Sequence, residues 1–444
     1  MRNLNEFILT LILGITIQNL LSSQSIVKDY PFPTPSIDES HHQLKVYLPS
    51  GYKSSENKKY NVVIYLHGSS GNNFNSIGNV IKTTADLLIN VGIIKPLVII
   101  MPNLQTNISP SFGNRHLYEN SEYFGKYGDV ILKDLFSFLG NTSDNNLNLK
   151  IDTSRGHVAI GGFSMGGDGA LRLGLKNPNK FIAISAHGAA PSFAQQIAAG
   201  LAPLITNENR NSRDGNGNYN YNANNGFYTE AVMGISAAWN PNSSPGNIQF
   251  LLNPNGSLNS SAYEAMLPYA DCQTIIKSKG LYKTATNNPF LYLEVGTADG
   301  FFGINNQFIS ELNSLGVDPK WFTYTTSPGK PHGFDIDRAS EALKWIDEKL
   351  LPAGTTPISN LKVNSDYKLR PIYQAKKIEI ILNTSTADGY INLLDINGRI
   401  IINKRVVKNQ TEYYLDMTST PHGVYIIHIT SGNKIGSTKL VWNN

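Results

Sequence analysis

His157-Val158-Ala159-Ile160, then Gly161-Gly162-Phe163-Ser164-Met165-Gly166-Gly167, then Asp168-Gly169-Ala170-Leu171-Arg172-Leu173-Gly174-Leu175 reads as a short strand, a sharp turn and a helix. Inside the turn lies G-x-S-x-G, centred on Ser164. A serine raised on such a turn must take a strained backbone conformation, and a side chain at Gly162 or Gly166 would strike the neighbouring strand or helix. In a chain with 38 glycines the motif alone also describes a glycine-rich turn with an idle serine. The strand before it and the helix after it favour a turn that presents a nucleophile.

The segments on either side predict the sheet that carries this turn. Upstream, Tyr30-Pro31-Phe32-Pro33-Thr34-Pro35 reads as a proline-rich lead, and Gln43 to Leu48 as the first strand. Tyr60 to Leu66 and Leu97 to Met101 are nearly continuous apolar runs, the mark of parallel strands covered on both faces. Val130 to Leu139 has helical spacing. Downstream, strands are expected at Phe181 to Ala186, Phe290 to Val295 and Trp321 to Tyr324, and helices at Gln307 to Leu315 and Ala339 to Leu351. Strands alternating with helices mean a doubly wound, mostly parallel α/β sheet. Between Pro191 and Ala270 the periodicity fails over a length too great for a simple loop, so 191–270 is expected to form a lid or substrate-facing insertion. Residues 353–369 read as a linker, after which only short strands and an Asn397-Gly398 hairpin signal remain. Residues 370–444 are therefore expected to form a small all-β sandwich.

Composition bounds the function. The chain of 444 residues has room for more than one domain, its net charge is +4, and charged residues make up only 16%. No basic run or aromatic-basic stripe points to nucleic acid. Met1-Arg2-Asn3, the apolar stretch Phe7 to Leu21 and Ser22-Ser23 read as a signal peptide over 1–23, too short for a stable membrane span. The mature part, 24–352, is then the α/β domain. The single cysteine, Cys272, excludes an intramolecular disulfide and reads as a small buried hydrophobe.

A serine hydroxyl needs a base to take its proton and an acid to orient that base. On this type of sheet the three follow in the order Ser, acid, His, the partners on loops just past strands. Of nine histidines, only His332, His422 and His428 follow the strand ending near Asp299, and the last two belong to the sandwich, leaving His332. Asp299 projects from a glycine-flanked turn at a strand end, whereas Asp271, Asp335 and Asp337 end no buried strand. The backbone N–H groups of Met165 and Ser69 are the expected oxyanion donors, with His67 packing beneath the second. No H-E-x-x-H, cysteine pair or carboxylate cluster calls for a metal, and no cofactor is expected. The Asp214-Gly215-Asn216-Gly217-Asn218 tract lacks the closing glutamate of a calcium loop.

On these residues, Leu44 to Leu351 resembles the esterase D-like family of α/β-hydrolases, which includes feruloyl and acetylxylan esterases, S-formylglutathione hydrolases, enterochelin esterases and mycolyltransferases. The likeness rests on Val46 to Tyr52 leading to Leu66-His67-Gly68, on Gly162 to Gly167, on Gly296 to Asp299 and on Pro331 to Phe334. It implies a catalytic Ser164, Asp299 and His332, with donors at Met165 and Ser69. The stretches Leu394 to Arg399, Gly423 to Ile427 and Lys439 to Val441 resemble the C-terminal sorting domain of the type IX secretion system. That likeness implies the secretion machinery as a partner and a destination outside the cell or on its outer surface. The expected activity is hydrolysis of carboxylic esters, small or carried on acetylated or feruloylated polysaccharide. A peptidase of the same fold and a non-catalytic glycan-binding protein are the competing readings.

Overall fold

The computed structural model describes residues 24–352 apart from 38, 55–58, 70–72, 106–114, 141–148 and 286, and beyond them 367–372, 376–382, 388–395, 400–421, 423–431 and 434–442. The expected signal peptide at 1–23, most of the expected linker and the expected Asn397-Gly398 turn lie outside the described residues. The chain divides into two compact units, Met1–Ala353 and Gly354–Asn444.

The first unit is built on eight strands: β1 (Ile26–Thr34), β2 (Glu39–Leu48), β3 (Asn61–Leu66), β4 (Leu97–Asn103), β5 (Val158–Phe163), β6 (Ala183–His187), β7 (Phe290–Gly296) and β8 (Phe322–Ser327). They lie in the order β1-β2-β4-β3-β5-β6-β7-β8. All neighbours are parallel except β1 with β2 and β2 with β4. Every residue of β3 and β5 is buried, because successive side chains point into two different cores. Val62, Ile64 and Leu66 join Leu171 and Leu175 in one; Val63 and Tyr65 join Ile77, Ile81, Leu343 and Ile346 in the other.

The helices follow in chain order. α1 is Asn73–Asn90. α2 comprises Tyr127–Asp129, the π-helical Val130–Leu135 and Phe136–Gly140. α3 is Met165–Lys176, α4 Gln195–Glu208, α5 Phe227–Trp239, α6 Ser260–Ala270, α7 Cys272–Lys279, α8 Phe302–Ser314 and α9 Ile336–Lys349. Among the described residues, no helix is long and apolar enough to cross a membrane.

One expectation changes, and another gains detail. The proline-rich lead is strand β1, paired antiparallel with β2 and carrying Pro31 and Pro33. β1 is the sheet edge, where a residue without an N–H costs no ladder bond on the open side. The stretch without clear periodicity, 191–270, holds the helices α4, α5 and α6. Pro203 and Pro268 inside α4 and α6 blur their pattern. This insertion is docked, not loose: the Arg172 guanidinium on α3 lies 4.2 Å from the Trp239 ring centre and donates to the carbonyls of Ala190 and Ala270. In the Asp214 tract, Oδ1 accepts the N–H groups of Asn216 and Asn218 at 2.8 and 2.9 Å, an Asx turn.

The second unit contains β9 (Tyr367–Ile372), β10 (Lys377–Leu382), β11 (Gly389–Leu394), β12 (Ile400–Val406), β13 (Glu412–Asp416), β14 (Gly423–Ser431) and β15 (Lys434–Trp442). They form antiparallel sheets β9-β10-β13 and β12-β11-β14-β15. Alternate residues such as Ile378, Ile380, Ile391, Leu393, Tyr413, Leu415 and Ile427 make their common core. β9 begins within the segment expected as linker. It too is an edge strand, which accommodates Pro371.

Candidate active site

Ser164 stands between the end of β5 and the first residue of α3 with φ 57° and ψ −122°, a region that costs a residue with a Cβ on the order of 1–3 kcal/mol. The surroundings hold it there. Its N–H donates to the His187 carbonyl at 2.8 Å, and its carbonyl accepts the Asp168 N–H at 2.9 Å. A Cβ on Gly162 would come within 2.3 Å of the Gly166 backbone, and one on Gly166 within 2.1 Å of the Leu66 carbonyl oxygen. Glycine on both sides is thus a matter of space.

The structure brings Ser164, His332 and Asp299 into one hydrogen-bonded chain. His332 Nε2 lies 3.0 Å from Ser164 Oγ, and His332 Nδ1 lies 2.8 Å from Asp299 Oδ2. An ionised carboxylate only accepts, so Nδ1 carries the proton and Nε2 is free to take one from the serine. Asp299 sits three residues past β7 and also accepts the Phe301 N–H at 2.9 Å. Burial alone would raise its carboxyl, but the hydrogen bonds from His332 and Phe301 and the charges of His332 and Arg338 outweigh it and hold the group below the ordinary aspartate value. The rings of Phe163 and Phe301 flank the imidazole at 4.8 and 5.3 Å between centroids. The competing acids are occupied elsewhere: Asp271 and Asp335 cap α7 and α9 by accepting from Thr274 and Arg338 N–H, and Asp337 lies in the first turn of α9.

Met165 opens α3, where a backbone N–H has no intrahelical acceptor and the helix dipole favours negative charge. Ser69 lies half-buried just past β3. The Gly166 contact with the Leu66 and His67 carbonyls sets the first turn of α3 against that loop. His67 is buried beneath it: Nε2 accepts the Leu104 N–H at 3.1 Å, so Nδ1–H donates to the Gly68 carbonyl at 2.7 Å. Burial lowers the His67 pKa. Tyr118 Oη donates to the His67 carbonyl at 3.0 Å. The loop after β3 is therefore tied down through His67 and Tyr118. Cys272 is fully buried, its thiol pushed up to about 12, chiefly by desolvation.

A second Ser-His-acid chain was missed by sequence reasoning. Ser185 Oγ lies 3.0 Å from His187 Nε2, and His187 Nδ1 lies 3.2 Å from Glu294 Oε2. It differs from the first in access and in setting: Ser185 and His187 are 0% exposed and Glu294 2%, while the His332 side chain is 39% exposed, and Ser185 lies within strand β6 and not on a strained turn before a helix. Ser185→Ala should leave fluorophosphonate labelling of the protein unchanged. It should lower stability by about 1–3 kcal/mol, because a buried imidazole nitrogen loses its donor; denaturant titration alongside labelling checks both.

A family model described as "Putative esterase" matches residues 36–264, and one described as "Secretion system C-terminal sorting domain" matches residues 373–443. The second marks the chain for secretion or display on the outer surface. Among curated proteins, "Endo-1,4-beta-xylanase Y" of Acetivibrio thermocellus is 29% identical over 126 residues, 28% of this chain; the matched part spans 11% of the xylanase. Similar solved structures include a ferulic acid esterase (18% identity, TM-score 0.45, covering 74% of this chain and 99% of that one). Others are a ferulic acid esterase from Anaeromyces mucronatus (16%, 0.45, 73% and 92%) and an S-formylglutathione hydrolase from Agrobacterium tumefaciens (18%, 0.46, 73% and 95%).

Proposed function

The chain belongs to the "Putative esterase" family, and on that premise we propose that it is an exported serine esterase that hydrolyses carboxylic esters through an acyl-enzyme on Ser164. The observation that carries this reading is the accessible chain from Ser164 Oγ through His332 to Asp299 at 3.0 and 2.8 Å. His332 Nε2 takes the hydroxyl proton as Oγ attacks the ester carbonyl. Negative charge moves to the carbonyl oxygen, where the Met165 and Ser69 N–H groups receive it. Collapse of the tetrahedral species breaks the bond to the alcohol oxygen, which leaves with the proton from His332. Water then attacks the acyl-serine by the same route in reverse, releasing the acid. Asp299, charged well into the acid range, stabilises the imidazolium in both halves.

The proposed substrates are acetyl or feruloyl esters on polysaccharide. Export supports a substrate outside the cell, and the partial identity with a protein named as a xylanase supports a polysaccharide. The insertion follows the end of β6, where a Cβ added at Gly188 would lie 3.1 Å from the His332 ring; this supports a substrate-facing role. Purified protein is expected to release acid from acetyl, butyryl and feruloyl esters, and ferulate or acetate from the corresponding esterified xylan, at rates above its action on peptides. Peptide cleavage that outpaces every ester would overturn the reading.

A further inference from the structure

His332 sits on the loop between β8 and α9, and residues 328–332 of that loop are all exposed. No buried side chain of its own anchors the loop ahead of the histidine, so its position depends on what its backbone is tied to. Lys330 is held by its carbonyl, which accepts the Ala298 N–H at 3.1 Å. The next ties come from one side chain. Arg338, in the first turn of α9 and 4% exposed, reaches back under the loop; Nη1 donates to the Gly333 carbonyl and Nη2 to the Pro331 carbonyl, the latter at 3.2 Å. These two carbonyls bracket His332.

The guanidinium has a prepared seat. A Cβ at Gly296 would lie 2.7 Å from Arg338 Nη2 and 2.0 Å from the Lys330 oxygen, so the absent side chain makes the space for both. Glu294, two residues earlier on β7, lies 3.3 Å from Arg338 Nε through Oε1. Nε makes no hydrogen bond among the described residues, so this tie is one of charge, while the directional bonds go to the loop. Glu294 also accepts from Ser327 at the end of β8, at 2.7 Å, and from His187 at the end of β6. The ends of three strands thus converge on the group that holds the histidine loop.

We infer that Arg338, seated on Glu294, is the positioning residue that sets His332 within reach of Ser164. This rests on the reading of Ser164, His332 and Asp299 as the reacting chain. Lysine cannot replace the fork, because an ammonium is a point donor on a flexible stem and does not span two carbonyls in fixed geometry. A base displaced by about 1 Å slows reaction by as much as 100-fold without altering how substrate docks.

The test uses the full chain and p-nitrophenyl acetate, with R338K and the charge-balanced pair R338M/E294Q; Ser164→Ala is run beside them. Both variants are expected to remain folded by circular dichroism, with kcat and the rate of fluorophosphonate labelling about 10- to 100-fold lower and KM within about twofold of the parent. A folded R338K or R338M/E294Q with the parent's kcat overturns the inference. So does a fall in rate matched throughout by loss of folded protein, which assigns Arg338 to the fold alone. Hydrolysis that persists in Ser164→Ala removes the reading of the site itself, and this inference with it.

Discussion

Ser164→Ala is expected to lower ester turnover by a factor on the order of 10⁵ to 10⁶ and to abolish fluorophosphonate labelling. The change removes the hydroxyl proposed to attack, while His332 keeps its bond to Asp299 and the backbone at Met165 and Ser69, the proposed oxyanion donors, is unaltered. Stability should move by no more than about 1 kcal/mol, since alanine keeps the Cβ that makes φ 57° costly and loses one partly exposed hydrogen bond. Ser164→Gly should be equally inactive and more stable. It relieves backbone strain of about 1–3 kcal/mol at an entropic cost near 0.5–1 kcal/mol. Steady-state kinetics and thermal unfolding of the two variants side by side check the pair. An alanine variant that still turns over ester would remove Ser164 from the mechanism, and a glycine variant less stable than alanine would remove the strain.

Gly166→Ala is expected to cost stability on the order of 3–5 kcal/mol or more, a large share of the roughly 5–15 kcal/mol that keeps a domain folded. The added methyl would lie 2.1 Å from Leu66 O, 2.5 Å from Leu66 C and 2.7 Å from His67 O. All three are backbone atoms, at the end of a wholly buried central strand, and cannot swing aside as the tip of a flexible side chain would. Whatever folds should also be slow, because α3 must back away from the 67–69 loop and part the two proposed oxyanion donors. Gly303→Ala, in α8 with nothing within 4 Å of the added methyl, is the control. It should be stabilising by about 0.5–1 kcal/mol through the lost flexibility of the unfolded chain. Soluble expression and melting curves distinguish the two; equal melting temperatures would show that the turn yields.

The site as a whole is economical in charge. Asp299 is compensated by His332 and Arg338, Glu294 by Arg338, and Asp168 by Arg172, whose Nη1 lies 2.9 Å from Asp168 Oδ1. Each buried carboxylate close to Ser164 therefore has a cationic or hydrogen-bonding partner.

The amino-acid sequence by itself determined whatever depends on neighbours along the chain. A β-branched run, a glycine-flanked serine and a helical run specify the turn at Ser164, because its steric demands are local. Continuous apolar runs at 60–66 and 97–101 specify buried parallel strands, and alternation after residue 370 specifies half-buried antiparallel ones. Chain order then pointed to Asp299 and His332 as the candidate acid and base, and the structure joins both to Ser164 in one hydrogen-bonded chain. What only the tertiary structure decided depends on groups far apart in sequence. Proline-bearing β1 is a strand because it falls at an edge. Within 191–270, α5 and α6 are tied to Arg172 through the Trp239 ring and the Ala270 carbonyl, a contact that no local pattern announces, although the cap Asn259, which accepts the Ala262 N–H, was a legible signal for α6. Ser185, His187 and Glu294 form a triad-like chain that burial keeps from substrate. Arg338, an ordinary first-turn arginine by local pattern, meets Glu294 and the carbonyls around His332 only because the sheet brings β7, β8 and the start of α9 to one place.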